Sequence, residues 1–337
     1  MDCGRIYGRL SLRVFLINFP TGAILVFEFT KEFVLKYKYG DKGDKDMAGL
    51  WKEEYRIGVD LIDEQHHQLF DKIEHLLEIA KGGSWETNRR ECMEIIDFLV
   101  KYTIIHFETE EKFQKEKGYI SYEEHIKIHR EFTNTVLVYK DLLNNNFSSK
   151  TLKSFIGTLL AWLVNHVCVC DKKIVRNIPI QPMESFADTE SFIKSVAEKL
   201  LTEMYDIPIR NTKSCIYKGD VEGAVIIRSV AEGKGRHLLL YGLSDKLAET
   251  LYHKISGMYL PHLDFMDDVE RSALMEIGNI ITTYAMSAIE ENTAGIQFKS
   301  DLYIHEYNDT EYNITNSVIL EIETDDGKME VLYCHLK

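Results

Sequence analysis

Hydrophobic positions recur with two different periods along this chain, and the change comes a little past its middle. Between residues 60 and 174 apolar residues return every three or four positions, the repeat of a helix that buries one face. Ile62, Leu69, Ile73, Leu76 and Leu77 form such a stripe early, and Leu159, Trp162 and Leu163 form one late. Four helices are predicted, over 60–81, 86–113, 122–143 and 151–174. The short loops between them carry Gly82-Gly83, Gly118 and Asn144 to Asn146. Helices joined so tightly predict an all-α up-down four-helix bundle.

After the fourth helix VRNIPIQPMES, with Pro179 and Pro182, reads as a linker over 176–185. Residues 186–205 predict an amphipathic helix, and from there the pattern turns β-rich. GAVIIRSVAE, RHLLLYGLS, NSVILEIET and MEVLYCHLK predict strands, and Asp325-Asp326-Gly327 predicts a hairpin turn. Further helices are predicted at 245–256 and about 267–291. The expected second domain, 186–337, is α+β, with helices packed on an antiparallel sheet.

Residues 1–46 carry less information. Arg5, Arg9 and Arg13 precede a moderately apolar run from Val14 to Phe29, which Asn18, Pro20 and Glu28 interrupt. The run is too short to span a bilayer comfortably, so no membrane span is expected. Met47 stands directly before the bundle and is the expected natural start, which leaves 1–46 as an extension without an assigned function.

Composition narrows the picture in two places. Formal charge is −14 over 337 residues, which argues against nucleic acid as a partner. Six cysteines are scattered without a C-x-x-C pair, the usage of reduced thiols in a cytoplasm.

The chemistry concentrates in the bundle. His106 and Glu110 are four apart, as are His125 and His129, and residues four apart share a helix face. Each pair is a two-ligand clamp, and Gly118 breaks the helix between them. His66 falls on the first apolar stripe, whereas His67 shares its side with Asp63, Asp71 and Glu74; His67 and His75 are assigned to solvent. The last stripe aims His166 inward, and Asp171 follows five residues later. Five inward imidazoles and two carboxylates on four helices point to a metal, in a set too rich in nitrogen for calcium or magnesium. A lone histidine on an apolar face is usually a core residue; five on successive helices, unpaired, would be expensive to bury.

These residues resemble the bacterial hemerythrins. The WKEEYRIGVDLIDEQH segment from Trp51 to His66 matches that family's N-terminal signature, and all seven ligand positions match in order over about 47–175. The resemblance implies two iron ions joined by an oxo or hydroxo bridge. Glu110 and Asp171 bridge them as well, and the five imidazoles are terminal. Divided three and two, the terminal ligands leave one iron open to dioxygen. Cys168 and Cys170, between the last two ligands, read as small packing residues; the alternative is a pair of redox-responsive thiols.

A second resemblance rests on DVERSALMEIGNIITTYAMSAIE. Ser272, Glu276, Asn279 and Thr283 line up on one side of this predicted helix, apart from the apolar stripe Leu274, Ile277 and Ile281. Gly278 in mid-helix costs about 1 kcal/mol relative to Ala, an expense that close approach of a backbone or partner would offset. The S-x-x-x-E-x-x-N pattern, with the order of elements over 186–337, resembles the CheX branch of the CheC/CheX/FliY phosphatases. Leu302 stands where the CheC branch has a proline. The resemblance implies that Glu276 contacts the phosphate-binding lysine of a phosphorylated CheY-like receiver. Asn279 would orient the attacking water, the Mg²⁺ would belong to the receiver, and a homodimer through this domain is compatible. The expected function is a cytoplasmic di-iron oxygen or redox sensor coupled to a response-regulator phosphatase. The alternatives are oxygen storage or delivery beside a docking module without catalysis, and a peroxide- or nitric oxide-reactive di-iron site.

Overall fold

The computed structural model describes residues 13–19, 22–28, 49–82, 87–180, 188–258, 260, 262–289, 296–305, 307, 312, 314 and 317–336. In the N-terminal extension Arg13–Phe19 (β1) and Gly22–Glu28 (β2) form an antiparallel hairpin, in register from Arg13↔Glu28 to Phe19↔Gly22. The described part of the extension's apolar run is thus strand. The expected start at Met47 and residues 181–187, which include part of the expected linker, lie outside the described residues.

The four expected helices are Asp60–Lys81 (α1), Arg89–Lys117 (α2), Tyr122–Asn145 (α3) and Ser149–Arg176 (α4). Asp63 anchors the start of α1, because its carboxylate accepts the N–H groups of Ile57 at 2.8 Å and Gly58 at 3.0 Å. Gly118 ends α2 at φ +67°, a left-handed cap that glycine adopts freely. Ser148 caps α4 by accepting the N–H of Thr151. Inside, Ile62, Leu69, Ile73 and Leu76 of α1 are buried with Leu99, Phe132 and Leu159. Each such side chain contributes roughly 1.5–3 kcal/mol on burial. Among the described residues α4 alone is long and apolar enough to cross a membrane, and most of it is buried inside the protein.

The C-terminal half builds a six-stranded antiparallel sheet in the order β3-β7-β8-β5-β4-β6. Its strands are Ile209–Ile216 (β3), Val225–Glu232 (β4), Arg236–Leu243 (β5), Gln297–Ile304 (β6), Val318–Thr324 (β7) and Gly327–Leu336 (β8). Helices Thr189–Glu198 (α5), Asp245–Ser256 (α6) and Asp268–Ile289 (α7) supply the apolar partners of one face, with Val225, Ile227, Leu239 and Tyr241. On the other face Val230, Leu238, Leu240 and Leu332 pack with Tyr217, Tyr307 and Tyr312. Cover on both faces explains why β4 and β5 read as near-continuous apolar runs. The expected hairpin turn joins β7 to β8 through Thr324↔Gly327.

The bundle and the sheet half are packed together. Helix α4 lies along α7, where Gly157 lets the backbones meet: a Cβ there would sit 2.2 Å from the carbonyl oxygen of Val269. Val269 belongs to the bundle's apolar cluster, and Ala161 and Val169 of α4 belong to the sheet half's.

Candidate functional site

Seven side chains converge inside the bundle. His66 comes from α1, His106 and Glu110 from α2, His125 and His129 from α3, and His166 and Asp171 from α4; each is at most 1% exposed. Their ligand atoms form two groups, Glu110 with His125, His129 and His166, and His66 with His106, Glu110 and Asp171. Glu110 is shared: one carboxylate oxygen lies 2.9 Å from His125 Nε2 and the other 3.6 Å from His106 Nε2. Asp171 also reaches both sides, 3.2 Å from His66 Nε2 and 3.1 Å from His166 Nε2.

The five-residue spacing of His166 and Asp171 is accommodated by a local change of helix. In a regular α-helix residues five apart are turned roughly 140° from each other. Residues His166–Asp171 form a π turn, whose wider winding puts both on one face.

Neighbouring side chains orient the set. His106 Nδ1 meets Gln65 Oε1 at 3.3 Å, His129 Nδ1 meets Glu111 Oε1 at 3.0 Å, and Gln114 Nε2 donates to Glu110 at 2.5 Å. Phe107 stacks on His129 and Trp162 on His166. Trp162 stands on the last apolar stripe, but Gln65, Glu111 and Gln114 do not stand out in the sequence, since Glu and Gln on helices are usually surface residues. Beside His106 is an apolar cavity of about 10 Å³, lined by Leu69, Ile73, Leu99, Phe132 and Trp162.

The electrostatics ask for a cation. Burial works against the Glu110 carboxylate, but His125 and His129 outweigh it and hold its pKa well below the ordinary value. Asp171 is likewise lowered: burial and the Glu110 charge oppose it, and His166, His125 and His66 prevail. Burial also disfavours protonated His125, yet the two carboxylates push it up to about 10. Burial brings His166 down to about 4 and lowers His106 well below its ordinary value. Two buried carboxylates thus face one imidazole that their charge keeps protonated. Both oxygens of Asp171, one of Glu110 and nitrogens of His66, His106, His125 and His166 have no hydrogen-bond partner. Orphaned buried groups of this kind are costly, and metal ions of imidazole–carboxylate preference fit them.

The remaining candidates of the bundle fall elsewhere. His67 is stacked on Trp51 and pairs with Asp71, and His75 pairs with Glu91, both half in solvent. Burial pushes the thiols of Cys168 and Cys170 up to about 11 and about 12. Such thiols stay protonated and poorly nucleophilic, in keeping with packing residues. Cys170 reaches out of the bundle, its Sγ 3.7 Å from the Tyr284 hydroxyl on α7.

The second candidate pair, Glu276 and Asn279, is brought together on α7. Asn279 Nδ2 donates to Glu276 Oε2 at 3.0 Å, and Asn279 Oδ1 accepts from the Ser300 hydroxyl at 2.5 Å. Ser300 in turn meets Ser229 at 2.9 Å. Neither serine is evident in the sequence: Ser300 lies on β6, which carries no clear strand pattern, and Ser229 is a small polar residue inside the apolar run of β4. Burial pushes the Glu276 carboxyl up to about 7, partly opposed by the Asn279 amide. The line Ser272, Glu276, Asn279 and Thr283 is only partly open: Glu276, Asn279 and Thr283 are half-buried, whereas Ser272 is buried and its Cβ would lie 3.0 Å from a Cβ on Gly157. Gly278 faces the sheet, where a Cβ would come within 2.6 Å of Ile227 Cγ2. A side chain of the protein's own β4, not a partner, makes the glycine necessary.

Residues 57–178 match the family model of the hemerythrin HHE cation binding domain. A bacteriohemerythrin of Stenotrophomonas maltophilia is 30% identical over 119 residues, which are 35% of this chain and 73% of the relative. The chain belongs to the hemerythrin family. The bacteriohemerythrin of Clostridium acetobutylicum is 25% identical over 126 residues, 37% of this chain and 98% of its own. The HHE-type histidine–carboxylate clusters therefore sit in a hemerythrin bundle, and solved CheX-like structures cover the C-terminal part. One is the chemotaxis protein CheX from Desulfovibrio desulfuricans, 15% identical with a TM-score of 0.35, covering 43% of this chain and 97% of that one. Another is the CheX–CheY–BeF3–Mg complex from Borrelia burgdorferi, 15% identical with a TM-score of 0.37, covering 45% and 100%.

Proposed function

We propose that this hemerythrin bundle holds two iron ions and senses dioxygen or redox state. In the same reading the sheet half removes the phosphoryl group from the aspartyl phosphate of a chemotaxis-type receiver, in the cytoplasm. The observation that carries the first half is the fully buried set of five histidines and two carboxylates with orphaned ligand atoms. His125, His129 and His166 would hold one ion, His66 and His106 the other, and Glu110 and Asp171 both. When bound, the iron pair supplies reversible dioxygen binding and electron exchange. The chain's own part is orientation and dryness. Donation from Nδ1 to Gln65 and Glu111 leaves the Nε2 lone pairs of His106 and His129 directed inward. The cavity beside His106, about 10 Å³, is mostly apolar in its lining and so offers a water few hydrogen-bond partners.

In the sheet half Glu276 would pair with the receiver's phosphate-binding lysine. That exchange releases Asn279 Nδ2, while Ser300 keeps the amide in place through Oδ1. An amide oxygen has a second lone pair, free to take a water's proton in a hydrogen bond and aim its oxygen at phosphorus. An acyl phosphate is reactive enough for positioning alone to matter, and the Mg²⁺ stays with the receiver. One observation favours docking without catalysis: both ends of the Asn279 amide are already engaged within the chain, by Glu276 and Ser300.

The test joins metal analysis to phosphate release from an acyl-phosphorylated receiver. About two irons per chain are expected, lost in His129→Ala and Glu110→Ala and kept in His67→Ala. Asn279→Ala should slow release while receiver binding persists. Full iron loading of His129→Ala would sink the metal reading, and unchanged release in Asn279→Ala the phosphatase reading.

A further inference from the structure

Helix α4 does two jobs in this fold. It carries His166 and Asp171, and it lies on the helix that bears Glu276 and Asn279. The crossing is tight at Gly157, where a Cβ would come within 3.0 Å of Ala273 N and Ser272 Cβ. An ion pair from Lys153 to Asp267, at 2.7 Å, closes one end of the crossing, and Cys170 against Tyr284 closes the other. Lys81 of α1 adds a pair to Glu270 at 3.2 Å. Along α7 the positions Val269, Ala273, Ile280 and Tyr284 follow helical spacing toward α4, and Glu276 falls between them. Its charge acts on the hydroxyl of Tyr139, which α3 holds 3.3 Å from Thr158 of α4. A receiver is a whole domain and needs the surface around Glu276 open on every side.

We propose that α4 is a built-in cover over the docking face of α7, so that the phosphatase acts only after the α4–α7 crossing has loosened. The inference rests on the phosphatase reading above and adds its regulation. In the closed arrangement Ser272 is out of reach and Glu276 is spent on Asn279 instead of a receiver lysine. Burial, which pushes the Glu276 carboxyl up to about 7, also lowers the share of it that carries the charge a lysine would seek. Opening exposes the face and restores the charge together. The cover is the helix on which two of the seven metal-site residues stand, so the state of the bundle reaches the phosphatase through one rigid element.

The experiment uses the full-length, iron-loaded protein with two substitutions that leave the signature intact. Lys153→Glu sets a like charge against Asp267, and Gly157→Ala wedges the backbones apart. Dephosphorylation of an acyl-phosphorylated receiver is measured beside hydrogen exchange of the amides of α7. Both variants should exchange faster over 268–286 and dephosphorylate the receiver roughly fivefold faster or more, the lower end of coupling between sites. Asn279→Ala added to either should remove the gain. If wild type already works as fast as a variant whose α7 exchanges freely, the cover is overturned and the phosphatase stands. Variants slower than wild type overturn it as well. If no protein acts on the receiver although α7 has opened, the phosphatase reading fails and the cover falls with it.

Discussion

A buried imidazole offers a cation its lone pair in only one of its two neutral tautomers, and at His129 Glu111 makes that choice. The carboxylate accepts a hydrogen bond from Nδ1–H at 3.0 Å while remaining partly exposed, with 28% of its side-chain surface in solvent. It therefore orients a ligand without belonging to the core. Glu111→Ala should weaken iron retention by roughly 10- to 100-fold in chelator competition, with little change in the unfolding of the metal-free bundle. Glu111→Gln, which still presents an acceptor, should recover most of the loss; retention equal to wild type in Glu111→Ala would refute the role. At this scale the sequence is legible where period and residue type disagree. His66 and His166 stand out because polar groups occupy apolar stripe positions. Glu111, Gln65 and Gln114 do not, since such residues on a helix carry no period of their own. Gly278 marks a tight place, but only the fold reveals that Ile227 is what lies against it.

Elements were legible in proportion to how completely one face of each is buried. All four bundle helices and α6 are legible, because nearly every turn of each contributes a buried residue. The strands β3 and β6 are edge strands with polar sequences, IRNTKSCI and QFKSDLYI, and each is paired on one side only. Half-exposed strands show little contrast between faces, so their pattern is faint. The π turn in α4 is a different case: the five-residue spacing from His166 to Asp171 was its only trace, meaningful once both are known to share a site. The start of α1 gives a prediction at the same scale. Asp63 is 2% exposed and holds two backbone N–H groups of the preceding turn, at Ile57 and Gly58. Asp63→Ala leaves both donors without their acceptor and should cost about 2–3 kcal/mol in chemical denaturation. Asp63→Asn, which keeps one acceptor, should cost less. Equal stability of Asp63→Ala and wild type would mean that water replaces the carboxylate and the turn is not anchored there.

For the molecule as a whole, the decisive feature is that one helix belongs to two cores, and Glu276 reports on that shared packing. In the unfolded chain its carboxyl keeps the ordinary value of 4.5, and in the folded protein burial pushes it up to about 7. Below 4.5 both states hold the proton; between 4.5 and 7 only the folded state does. Because the folded state binds more protons in that window, stability falls as pH rises through it and levels off above. Glu110 and Asp171 act in the opposite sense, since their lowered values give stability that is lost on acidification. Their effects cancel when wild type is compared with Glu276→Gln, which is neutral at every pH. The groups about Glu276 are Tyr139, Tyr205 and Asn279, and both hydroxyls are raised further from this range, so none titrates within it. Relative to Glu276→Gln, wild type should therefore lose roughly 1–2 kcal/mol between about pH 5 and about pH 8, after allowance for partial exposure. Denaturation midpoints of the two proteins across that range make the measurement. A gap that stays constant throughout would place the carboxyl in water and leave α4 covering nothing of consequence.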